Sequence, residues 1–152
     1  MTEFRVHVSC QGNRNTVDAR TVKRRAERLL LLLGQEDREL SILLCDDARI
    51  CELNRDYRGK NAPTDVLSFA MSEGEEVGLD DGILGDIVIS VETAGRQALE
   101  AGVETSREVA SLLIHGLLHL LGYDHSSPKE ATIMFEKAGE LEDSILPKKK
   151  GR

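Results

Sequence analysis

The strongest constraint on what this chain can fold into is a repeated switch of hydrophobic period, from two, or a short unbroken run, to the 3.6 of a helix. Phe4, Val6 and Val8 alternate with Arg5 and His7, as in a half-buried strand, before turn residues Gly12 and Asn13. From about Val17 to Leu33 the apolar positions Val22, Ala26, Leu29, Leu30 and Leu33 repeat at helical spacing, and Gly34 stands where a helix ends. Leu40–Cys45 reads as a buried strand, and Asp46 or Asp47 offers an N-cap to a short helix carrying Ile50 and Leu53. A turn-rich stretch from Arg58 to Pro63 leads to a strand at Val66–Phe69, and another strand is expected from Ile83 to Val91. Helices are then expected over Glu92–Ala101, from a Thr105–Glu108 capping box to about Leu121, and from about Lys129 to Asp143 with Ile133, Met134, Ala138 and Leu141 as its apolar stripe. Four strands mixed with about five helices predict a small α/β or α+β sandwich with a mixed sheet.

At 152 residues and 40% hydrophobic content the chain suits one compact domain, placed at residues 1–147, with a basic tail, 148–152, expected to be disordered. The acidic, glycine-containing segment Glu73–Asp81 is expected to be an exposed loop. The N-terminus lacks a basic region followed by an apolar run, and no apolar stretch is long enough to span a bilayer, which predicts a soluble, cytoplasmic protein. Cys10, Cys45 and Cys51 form neither an even set nor a CxxC pair, so reduced and mostly buried thiols are expected. A net charge of −7 excludes a protein that coats nucleic acid through a dominant positive field, so any RNA contact must be local. Arg20, Lys23, Arg24 and Arg28 share a helix surface, more commonly a solvated face than a phosphate-contact one.

The sharp chemistry lies in His115-Gly116-Leu117-Leu118-His119-Leu120-Leu121-Gly122-Tyr123-Asp124-His125. On a helix His115 and His119 stand about 40° apart, away from the core stripe of Val109, Leu113, Gly116, Leu117 and Leu120, so both imidazoles can reach one ion. Gly122 lets the chain turn back, and His125 can supply a third ligand. Three neutral imidazoles leave a tetrahedral zinc one open position, the arrangement of a catalytic site. The same spacing occurs in metzincin proteases, but their general-base glutamate follows the first histidine, and here that position is Gly116. A glycine inside a helix costs about 1 kcal/mol relative to alanine, so packing or a close approach is expected to compensate. Asp124 either orients a ligand imidazole or moves a proton, or serves the turn as an Asx-type residue.

Two segments together, Tyr57-Arg58-Gly59-Lys60 with Pro63-Thr64-Asp65-Val66-Leu67-Ser68-Phe69, and the histidine segment His115–His125, resemble the signature of the YbeY family of rRNA maturation factors. The resemblance is compatible with the chain over roughly residues 3 to 146, with Ala70 a departure where many relatives have proline. It implies one zinc ion on His115, His119 and His125, and endoribonuclease activity on single-stranded RNA. It further implies a part in 16S rRNA 3′-end maturation and ribosome quality control, with the ribosome or small-subunit proteins as partners. Arg58 matches an arginine important in the family, and its planar guanidinium suits phosphate oxygens, where composition alone would favour a surface ion pair. Lys60 is a weaker candidate for the same groove, and Thr64 and Asp65 are expected to brace the turn.

Two rival functions stay open at this level. A metal-dependent peptidase or amidase would cleave unstructured protein and spare RNA. A noncatalytic assembly factor, with zinc only locking the loop after Gly122, would tolerate Arg58→Ala in ribosome maturation while His119→Ala disturbed its fold.

Overall fold

A computed structural model describes residues 3–12, 17–71 and 82–147. The segment 73–81 and the tail 148–152, for which a loop and disorder were expected, lie outside the described residues. The elements follow the changes of period: β1 (Arg5–Cys10), α1 (Ala19–Leu32), β2 (Glu39–Cys45), α2 (Asp47–Arg58), β3 (Val66–Ala70), β4 (Ile83–Ser90), α3 (Val91–Ala101), α4 (Thr105–Leu120) and α5 (Pro128–Ile145). The strands form one mixed sheet in the order β1-β2-β4-β3, the first three parallel and β3 antiparallel on the edge. This is the expected α/β architecture of four strands and five helices.

The sheet has two unequal faces. Register places Val6 beside Leu40, Ile42 beside Ile87, and Leu44 beside Ile89, so alternate residues of three strands form apolar rows on one face. That face meets Ala26, Leu29 and Leu30 of α1, Leu113, Ile114 and Leu117 of α4, and Met134, Ala138 and Leu141 of α5 in the main core. The opposite face carries a smaller cluster, Cys45, Leu67 and Val88 under Ile50 of α2, with Leu53 and Phe69 at its margin.

Several local expectations are corrected. Helix α1 starts two residues later than its apolar pattern, because the Asp18 carboxylate accepts the Arg20 N–H at 3.0 Å and caps it, while Val17 packs into the core ahead of the helix. The Thr105–Glu108 capping box does not form: Glu104 holds the N-cap position without a side-chain bond, and Thr105 is already the first helical residue. A box stands instead at α5, where Ser127 accepts the Glu130 N–H at 3.1 Å, its hydroxyl faces the Glu130 carboxylate at 3.3 Å, and Pro128 opens the helix. Ile133 is 48% exposed, since the buried stripe of α5 runs through 134, 138 and 141 and leaves 133 to one side. Of the three free thiols only Cys45 is buried, and burial followed by the neighbouring Asp46 charge pushes it up to about 12; Cys10 is exposed at the end of β1.

Candidate active site

Helix α4 is buried over most of its circumference, and His115 and His119 are the two exposed residues of its last two turns. Their spacing puts both on the side away from Leu113, Leu117 and Leu120, as expected. The helix stops at Leu120, Gly122 adopts φ 96°, and the Tyr123 N–H bonds the Leu118 carbonyl at 2.9 Å, which turns the chain back over the helix end. His125 returns with it, its ring centroid 5.5 Å from that of His119. The fourth histidine, His7, lies on β1 beside Glu39 at 2.9 Å.

Gly116 explains how the helix sits so close to the sheet. A Cβ there would stand 2.9 Å from Ile87 Cγ2 and 3.2 Å from Ser68 Oγ, and the Ser68 hydroxyl donates to the Gly116 carbonyl at 3.2 Å. Packing therefore compensates the glycine, and a side chain following His115 would be driven into the sheet. The position used by a metzincin base has no room for one.

A cleft of about 640 Å³ brings the predicted residues together. His115, His119 and His125 line it, with Ser68 and Asp65 from the β3 side and Phe135 from α5. Arg58, at the C-terminal end of α2, also reaches it. Its guanidinium passes over the edge of β3, donating to the Ser68 carbonyl at 2.6 Å, with its carbon 4.7 Å above the Phe69 ring centroid. Asp65 braces the turn as expected, accepting from the Val66 N–H at 2.8 Å and from Gln97 at 3.1 Å.

Other candidates fall elsewhere. Lys60, Arg20, Lys23, Arg24 and Arg28 do not line the cleft. Asp124 does not line it either: its carboxylate accepts the His125 backbone N–H at 2.7 Å, stands 3.8 Å from the ring Nδ1, and borders a shallow hollow behind the loop. The carboxylate thus bonds the next residue along the loop and flanks the His125 ring from outside the cleft. Sequence reasoning missed Phe135 and Ser68 as lining residues. The available signal for Phe135 was that it lies off the stripe of its own helix.

Burial first, then the neighbouring His125 and His115 charges, hold the His119 imidazole below its ordinary value, against the opposing pull of Asp124 and a backbone bond to Tyr123. This favours the neutral ring, the form that binds metal. Among the described residues, no three His, Cys, Asp or Glu side chains already stand grouped to hold an ion.

A four-stranded mixed sheet presenting a histidine-lined cleft beside an arginine defines a small α/β protein whose candidate active site is that cleft. The chain belongs to the YbeY family, whose model, described as endoribonuclease YbeY, matches residues 7–146. It is 44% identical over 133 residues to endoribonuclease YbeY of Syntrophus aciditrophicus, covering 86% of this chain and 83% of the relative. It is 43% identical over 137 residues to that of Syntrophotalea carbinolica, covering 90% and 91%. With the solution structure of a Thermotoga maritima protein the fold agrees at a TM-score of 0.63 and 26% identity, over 92% of this chain and 88% of the other.

Proposed function

We propose that this chain is a zinc-dependent endoribonuclease that cleaves single-stranded RNA and acts in the cytoplasm on the 3′ end of 16S rRNA and in ribosome quality control. The observation that supports the reading most is that three imidazoles and one guanidinium from three separate chain segments, the end of α2, the last turns of α4 and the loop after it, line a single cleft. Membership of a family whose relatives are named endoribonucleases supports RNA as the substrate class, and the ribosomal context is proposed from the resemblance of the two motifs alone.

The donor chemistry of the three imidazoles suits a zinc ion. Two imidazoles on one tetrahedral zinc, with Zn–N of about 2.1 Å, have ring centres about 5.4 Å apart, and the His119–His125 pair stands at 5.5 Å. His125 is 64% exposed, which leaves its ring free to change rotamer at the surface. His115, His119 and His125 would hold the ion, which would supply Lewis acidity toward a phosphoryl oxygen and a lowered pKa for water. Arg58 holds the phosphate and balances the charge that grows on its oxygens as the diester is attacked. Its bond to the Ser68 carbonyl and its seat over Phe69 fix the guanidinium beforehand, which reduces the ordering cost at the moment of reaction. Leu112, Leu120 and Met134 form the apolar wall of the cleft and limit the water that competes for those charges.

Metal-loaded protein should cut a labelled single-stranded RNA, spare the same sequence in duplex form, and lose activity on chelation. A 2′,3′-cyclic phosphate end would assign the nucleophile to the ribose, and a 5′-phosphate product end would assign it to water. In cells, His119→Ala should leave 16S precursors with extended 3′ ends. Cleavage of unstructured protein with no cleavage of RNA would sink the proposal, as would a chain that binds no metal.

A further inference from the structure

This protein places no aromatic residue in its core. Its five aromatics are Phe4, Tyr57, Phe69, Tyr123 and Phe135, and none of them is among the buried hydrophobic residues. The interior is built from aliphatic side chains, although aromatic rings carry the largest burial gain per residue. Two of the rings are instead held far out of the protein, Phe135 at 80% and Tyr57 at 66% exposure.

Their positions are related to the cleft. Phe135 is part of its α5 wall, beside Met134 and Ala131. Tyr57 immediately precedes Arg58 and lines a second hollow, of about 480 Å³, on the other face of the sheet. The two hollows meet at the edge of β3. Ser68 and Ala70 face the first, and Phe69, between them on the strand, faces the second. Arg58 spans that edge, lining the first hollow with its guanidinium stacked over the Phe69 ring that belongs to the second. Phe69 in turn meets Tyr57 edge to face, centroids 5.6 Å apart, which orients the exposed Tyr57 ring.

Resting on the reading of this cleft as a ribonuclease site, we infer that Phe135 and Tyr57 are base-stacking stations on opposite sides of the Arg58 phosphate contact, so that single-stranded RNA crosses the edge of β3 with one base on each ring. The chemistry selects this occupant over a protein partner. A base can stack on an exposed ring only when it is unpaired, and a ring lining the same cleft as, or next in sequence to, a phosphate-binding arginine lies where the base of a held nucleotide can reach it. A duplex offers no free base face, so the same two rings select single strands.

The test uses full-length, metal-loaded protein and a single-stranded RNA in which one nucleotide on either side of the cleaved bond is replaced in turn by an abasic ribose. Wild type should lose roughly ten-fold or more in KM for the abasic substrates. Tyr57→Ala and Phe135→Ala should each lose that amount on intact RNA and become indifferent to the abasic position that their ring serves. Tyr57→Phe should retain wild-type behaviour, which a lost hydroxyl contact would not allow. Unchanged KM in both alanine variants, or an intact preference for bases after both are removed, overturns the stacking stations while leaving the nuclease reading in place. Failure of wild type to cleave any RNA overturns both.

Discussion

Gly116 and Arg58 show what single residues contribute and how differently they could be read. A glycine in a helix ordinarily invites replacement by alanine, with a gain near 1 kcal/mol. At 116 the new methyl would stand 2.9 Å from Ile87 Cγ2, and Ile87 is completely buried, so it has no space to retreat. Overpacking of this kind costs about 1–3 kcal/mol, so Gly116→Ala should lower stability in urea denaturation, where a gain would show that the helix sits farther from the sheet. The expectation that packing would compensate the glycine could be formed from its position in the helix. Its partner could not, because Ile87 lies on another element and only the assembled sheet brings it there. Arg58 is the reverse case: the structure leaves its guanidinium at the cleft without stating its task. Replacement by lysine keeps the charge but loses the planar fork, and kcat for RNA should drop by about 10–100-fold with an unchanged melting curve. Equal kcat in Arg58→Lys would mean that charge alone suffices.

Among the elements, the strands and helices were legible because each carries its own period, whereas their ends were decided by side-chain oxygens. Thr105 and Glu108 have the right types and spacing for a capping box, yet the helix opens one residue too early for them to use it. Asp46 and Asp47 were indistinguishable as caps in the sequence. In the structure Asp46 accepts the Arg49 N–H at 2.9 Å. Asp47 instead ties α2 to α3, accepting from Ser90 at 2.6 Å, Thr93 at 2.7 Å and Arg96 at 2.8 Å. Burial alone would raise the Asp47 pKa, but these three donors outweigh it and hold the carboxyl below the usual carboxylate range. A carboxyl with a lower pKa in the folded state contributes stability above its unfolded value of about 3.9, and loses it as pH falls through the folded one. Asp47→Asn should therefore destabilise the protein at pH 7 and make the acid limb below about pH 4 shallower. A limb of unchanged steepness in chemical denaturation across that range would show that other carboxyls carry it.

At the scale of the whole molecule, the histidine spacing marked a candidate metal-binding helix end, but the cleft itself arises from β3 being the sheet edge, with α2 on one face and α4 on the other. No local pattern specifies that strand order, and it is what brings Arg58 to the histidines. The same architecture bears on how an acidic protein, of net charge −7, can handle RNA. Its exposed cationic helix face, Arg20, Lys23, Arg24 and Arg28, does not line the cleft, whereas Arg58 does. Affinity for a single strand falls with salt at a slope of about −0.7 per phosphate neutralised. One or two phosphate contacts at the cleft then predict a loss of only about 3- to 7-fold in affinity between 50 and 200 mM salt, whereas adding the four cations of α1 would bring it above about 100-fold. Binding of a non-cleavable single-stranded RNA, measured across that range with wild type and with Arg24→Glu, separates the two. A shallow slope that Arg24→Glu leaves unchanged assigns recognition to the cleft, with stacking supplying what charge does not. A steep slope that the variant flattens would place the RNA along α1, and the acidic surface would then have to be bypassed by a longer track than the edge of β3 provides.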